Sequence, residues 1–170
     1  MARIAPTTVR GRIVRQIETE LENLDLGGAP NQTVQAVFRD WRPPDLDAHC
    51  PYIVLLDPRC TKAHGNAGAP KTFILCTLSL EAWVIVDADE ARDEPAAETL
   101  ERAAGILENK LLEIGVPDGG SLKAISGFNW LHDDGNEFFE FTRGGNVAAA
   151  RVDATVQFIH KDTDTRVGRA

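Results

Sequence analysis

The sequence predicts an α+β fold, a single mainly antiparallel sheet with two amphipathic helices packed on one face. Three observations carry this. Two stretches, 13–24 and 100–114, place apolar residues at helical spacing. One stretch, Phe73 to Val86, puts an apolar side chain at every second position, over roughly twice the usual strand length. The remaining apolar runs are short and strand-like, giving the order helix, two or three strands, helix, three strands. At 170 residues the chain suits one domain, placed at 1–160, with a flexible, apolar-poor tail at 161–170.

The first helix centres on Ile13, Ile17, Leu21 and Leu24, with Arg12, Arg15, Glu18, Glu20 and Glu22 off that stripe. Gly27, Gly28 and Pro30 are expected to stop it. Thr33 to Trp41 reads as a strand, because Val34, Ala36 and Phe38 alternate with polar neighbours. The turn Arg42-Pro43-Pro44 breaks it. Tyr52 to Leu56 reads as a second strand ending at Asp57-Pro58, and 57–70 as a loop without periodicity.

The long strand Phe73 to Val86 follows, and its length predicts a bulge or a long projecting β-hairpin. Asp93 and Pro95 then introduce the second helix, whose stripe is Leu100, Ala104, Leu107, Leu111 and Ile114. Gly115 and Pro117 end it. Leu122 to Trp130 and Glu137 to Thr142 read as a hairpin turning at His132-Asp133-Asp134-Gly135-Asn136. A turn at Gly144-Gly145-Asn146 leads into the final strand, Ala150 to Ile159.

Composition narrows the function. The net charge is −8, from 18 basic and 26 acidic side chains, which argues against a surface built to grip phosphate backbones. No apolar run reaches the ~20 residues of a membrane span. The first sixteen residues lack the apolar core of a secretory signal. Three irregularly spaced cysteines, Cys50, Cys60 and Cys76, fit a reducing compartment.

No catalytic or metal constellation emerges. Zinc commonly takes two closely spaced ligand pairs, and only Cys60-x₃-His64 has such a spacing. Cys76 falls in phase with the apolar face of the long strand, where a thiol behaves as a small hydrophobe. His132-Asp133-Asp134 is explained by turn chemistry. Ser79 and Ser121 lack a nucleophile setting, and neither glycine pair carries the rest of a phosphate loop. No enzyme and no cofactor are expected.

The layout as a whole resembles the tail terminator (tail-completion) proteins of tailed bacteriophages. The resemblance rests on element order: the helix Thr8 to Leu24 with Ile13-Val14-Arg15-Gln16-Ile17-Glu18 at its centre, and the short strand Val34 to Arg39. It continues through the Pro-led strand Pro51-Tyr52-Ile53-Val54-Leu55, the loop and long strand Phe73 to Val86, and the helix Ala96 to Gly115. The last strand, Val152 to His160, completes it with the tail Lys161-Asp162-Thr163-Asp164. The resemblance implies a homo-oligomer, a hexameric ring that caps the tail tube and joins it to the head-side connector. Its partners would be the tail tube protein and a connector or neck protein, with DNA passing through without specific binding and no membrane contact. The implied location is the virion tail or neck, assembled in the host cytoplasm. Two alternatives are a head-completion or stopper protein of the same neck, and a small cytosolic metal-dependent enzyme using Cys60 and His64.

Trp83 and Ile85, on the second face of the long strand, and Phe138 in the following hairpin are candidate subunit or tube contacts. Phe128 and Trp130 are further candidates for that face. Filling the domain's own core is the competing role for all of them. Arg59, Lys62 and Lys71 flank the 57–70 loop and are candidates for pairing with acids of a neighbouring ring. Residues 44–115 hold 13 acidic and 6 basic groups, most of the acid lying between Asp87 and Glu101. Asp87, Asp89, Glu90, Asp93 and Glu94 are therefore expected to line the DNA path or to face a basic partner.

Overall fold

The computed structural model describes residues 8–27, 32–39, 50–64, 73–87, 96–116, 119–141 and 147–161. The first element is helix α1, Val9–Leu21, whose N-terminus is capped by Thr8: its Oγ1 accepts a hydrogen bond from the Gly11 amide at 3.0 Å. The helix stops at Leu21, six positions before the first of the glycines, because Asn23 takes a φ of 63°, the left-handed conformation that ends helices. Beyond it, the Val34 amide donates to the Leu24 carbonyl and the Gln35 amide to that of Pro51. Those bonds draw 33–35 out of the expected strand, and β1 is only Ala36–Phe38. Trp41, Pro43 and Pro44 lie outside the described residues.

Strand β2 spans Tyr52–His64 and β3 spans Phe73–Asp87. The expectation of a loop from Asp57 is corrected here. β2 passes through Asp57 and Pro58 by a bulge, with Leu56 opposite Glu81 and Arg59 opposite Ser79. Pro58 has no amide proton to give, and it falls where the ladder is interrupted. Asp57 is held from outside the sheet. Arg10 Nε and Nη2 donate to its Oδ2 at 2.9 and 2.6 Å, and Arg39 Nη2 donates to Oδ1 at 2.6 Å. Of the expected loop, 65–70 lies outside the described residues.

Helix α2, Ala96–Gly115, buries the whole predicted stripe, from Leu100 to Ile114, at no more than 2% exposure. Asp93 and Pro95 lie outside the described residues. A Cβ on Gly115 would sit 2.6 Å from that of Leu131, so only glycine lets the helix end approach the sheet this closely.

The segment expected as a strand from Leu122 is instead a 3-10 helix, Ser121–Ala124, that buries Leu122 completely. Strand β4 starts at Phe128 and runs to Phe141, straight through the expected turn at 132–136. The Asp-Gly-Asn stretch there lies in a bulge rather than a reversal. Asp133 pairs with Ala154 and Glu137 with Val152, so two extra residues are absorbed. Asp134 Oδ2 accepts from Thr155 Oγ1 at 2.9 Å and ties the bulge to the last strand. Strand β5 is Val147–Lys161. It carries into the start of the expected tail by one residue, and 162–170 lie outside the described residues, as do 142–146.

The five strands form one sheet in the order β1-β2-β3-β5-β4. All pairs are antiparallel except β1 with β2. The predicted α+β class is the one observed. β3 and β5 pair without interruption from Phe73 opposite Lys161 to Asp87 opposite Val147. The bulge expected for the long strand therefore lies in its neighbour, β2.

Both helices cover the same face. Ile13, Ile17 and Leu21 of α1 and Leu100, Leu107 and Leu111 of α2 share one core with Cys76, Leu78, Leu80, Val84, Val152, Val156 and Phe158. Burying such side chains contributes ~1.5–3 kcal/mol each relative to exposure. Lys110 on α2 pairs with Glu20 on α1 at 3.2 Å, and Arg102 Nε donates to the Leu26 carbonyl at 3.2 Å. The first ties α2 to α1 directly, and the second ties it to the segment that follows α1.

Candidate interaction surface

The other face of the sheet carries no described helix. There Tyr52, Val54 and Ile85 form a second, smaller apolar cluster, flanked by Phe38, Cys50, Leu56, Trp83 and Ala149. Alternation places it there. Ile53 and Leu55 of β2 point to the helices, so Tyr52 and Val54 point away. The Phe38 and Tyr52 rings meet edge to face, with centroids 5.6 Å apart.

Strand register places the named candidates in rows. One row runs Val54, Trp83, Arg151, Phe138, and the next runs Tyr52, Ile85, Ala149, Glu140. Trp83 and Phe138 thus occupy the positions on either side of Arg151. Ile85 is 5% exposed and completes the small cluster, while Trp83 is half-buried. Of Phe138, only its place in the ladder is described.

A polar network borders the cluster. The Arg151 guanidinium carbon sits 5.4 Å from the centroid of the Trp83 ring. The same group meets Asp153 at 2.9 Å through Nε and donates from Nη2 at 3.0 Å. Glu81 lies 4.0 Å from Arg151 and accepts from Trp83 Nε1 at 3.4 Å. Burial pushes the Asp153 carboxyl above its ordinary range. Arg151 opposes that shift, and the charges of Glu81 and Asp134 add to it. The sequence reading missed Glu81, Arg151 and Asp153. The signal available for two of them was Arg151-x-Asp153 on the polar face of an alternating strand.

Arg59 and Lys62 lie elsewhere, exposed on the part of β2 beyond its bulge. Lys71 is outside the described residues, as are Asp89, Glu90, Asp93 and Glu94. Asp87 ends β3, opposite Val147, at the far end of the sheet from Arg59 and Lys62. Asp87 is therefore not brought beside Arg59 or Lys62 within one copy.

Cys76 is fully buried in the main core, and burial pushes its thiol up to about 11. Among the described residues no three His, Cys, Asp or Glu side chains come together to hold a metal. His132 is exposed on β4, edge-on to Trp130. No described helix is long and apolar enough to cross a membrane.

No protein-family model and no curated protein matches the chain. Among solved structures, the chain is similar to one from the virion of a native gene transfer agent (GTA) particle. The TM-score is 0.54, over 86% of this chain and 91% of that one, at 16% sequence identity. The likeness is one of fold.

Proposed function

We propose that this chain is a structural protein of a phage-like virion, acting as a tail terminator. In this reading it forms a ring, six copies in a closed circle, that caps the tail tube and docks onto the head-side connector. The observation that carries the reading is the fold likeness to a GTA virion chain across nearly all of both molecules. The open face supports it. A sheet face with an apolar cluster and a half-buried tryptophan beside an arginine has the composition of a protein contact.

The work proposed is docking and length control, with no catalytic turnover and no cofactor. Trp83, Ile85 and Phe138 are the proposed centre of the contact with a neighbouring subunit or with the tube. Asp87, Asp89, Glu90, Asp93 and Glu94 are proposed to line the DNA path or to face a basic partner. An acidic wall repels phosphate and lets DNA slide.

Native mass spectrometry and electron microscopy of the purified protein test this reading, with and without tail tubes. A closed, six-fold ring that seats on tube ends is expected. A protein that stays monomeric at high concentration and ignores tubes would overturn the proposal.

A further inference from the structure

Among the described residues, the sheet ends in two free edges of opposite charge. β1 covers only Tyr52–Val54 of β2, so the rest of β2 has β3 on one side and no described strand on the other. Pro58, Arg59, Thr61, Lys62 and Ala63 are exposed along that stretch. Asp57 is already satisfied by Arg10 and Arg39, whereas Arg59 and Lys62 make no ion pair among the described residues. This edge is basic. The opposite edge is β4, whose sequence FNWLHDDGNEFFEF contains Asp133, Asp134, Glu137 and Glu140 and neither lysine nor arginine. By composition, that strand is acidic.

A free strand edge is a template for another strand. Opposite charges across a strand pair stabilise it, and like charges destabilise it. Pairing β2 with β2, or β4 with β4, sets like against like. Pairing β2 with β4 sets opposite against opposite. We infer that the outer part of β2 in one copy of this chain pairs with β4 of the next copy, so that the sheet continues from subunit to subunit.

Pro58 and the bulge confine the pairing segment to Arg59–His64, about the length of an ordinary strand. Because the two edges lie on opposite sides of the sheet, the contact is head-to-tail. Such a contact closes into a ring when its rotation allows, while the twofold dimer, which needs identical patches to meet, is disfavoured. The inference rests on the ring reading above and assigns it an interface.

The test follows assembly of the full chain by native mass spectrometry and sedimentation across concentration. Arg59→Glu with Lys62→Glu makes both edges acidic and is expected to raise the concentration for half-assembly roughly tenfold or more. Glu137→Lys and Glu140→Lys, combined with Asp133→Asn and Asp134→Asn so that no acid remains on β4, make both edges basic and have the same effect. Mixed in equal amounts, the two reversed proteins are expected to co-assemble into rings in which they alternate, since each then meets an opposite edge. Circular dichroism of each protein checks that it is folded. Should a reversal prevent folding, Arg59→Gln with Lys62→Gln replaces it, with weaker assembly and steeper loss in salt expected.

Rings that persist in both reversals, or that fail to return on mixing folded proteins, overturn the edge assignment while leaving the ring reading intact. Wild-type protein that never assembles overturns both.

Discussion

Arg151 lies across the ladder from Trp83, with its guanidinium carbon 5.4 Å from the indole ring centroid and its Nε 2.9 Å from Asp153. One cation thus serves an aromatic face and a carboxylate at once. Even so, the Asp153 carboxyl titrates above its ordinary value of 3.8, since burial outweighs the arginine. The folded state therefore holds this proton more tightly than the unfolded state does. The contribution to stability is present at low pH and is lost as pH rises through the folded value. An NMR titration is expected to place the Asp153 midpoint above 3.8, and Asp153→Asn is expected to remove that part of the pH dependence of unfolding.

Asp57 is expected to matter more than an ordinary surface acid, because two arginines from separate elements converge on it. Both arginine side chains are more than a third exposed, so solvent screens the pairs. Asp57→Ala is expected to cost about 1 kcal/mol. A double-mutant cycle with Arg10→Ala, read by denaturant unfolding, should recover part of that as coupling, and the coupling should shrink in high salt.

Two glycines make opposite predictions. Gly127 has a φ of 96°, and a Cβ there would collide with the Ile159 carbonyl oxygen. Gly127→Ala is expected to destabilise by about 1–3 kcal/mol. Gly105 lies within α2 with nothing within 4 Å of its would-be Cβ. Gly105→Ala is expected to stabilise by about 0.4–1 kcal/mol. Thermal melting of the two variants checks both signs.

Elements whose pattern is local were legible in the sequence. β3 alternates through its length, and α2 carries an unbroken stripe, so both were placed to within a few residues. The errors fall where distant residues overrule local chemistry. Asp57-Pro58 reads as a strand end, yet β3 alongside and the arginines Arg10 and Arg39 carry the strand through it. Asp134-Gly135-Asn136 reads as a hairpin turn, yet Thr155 and the ladder to β5 make it a bulge.

The candidate surface divides the same way. Trp83 and Ile85 were visible as the second face of β3. Glu81, Arg151 and Asp153 come together only because β3 and β5 pair in one particular register, which no local window contains.

The position of β5 also bears on how the molecule is made. This strand comes last among those described, yet it sits inside the sheet, between β3 and β4. During synthesis, β2 and β3 can pair early, but β3 keeps a bare edge and β4 has no partner until residues 147–161 have left the ribosome. The central ladder joins segments sixty or more positions apart, a separation that slows folding. Sheet closure therefore waits for β5, and a nascent chain stalled before it exposes the bare edge of β3 and an unpaired β4 to its neighbours on the same messenger.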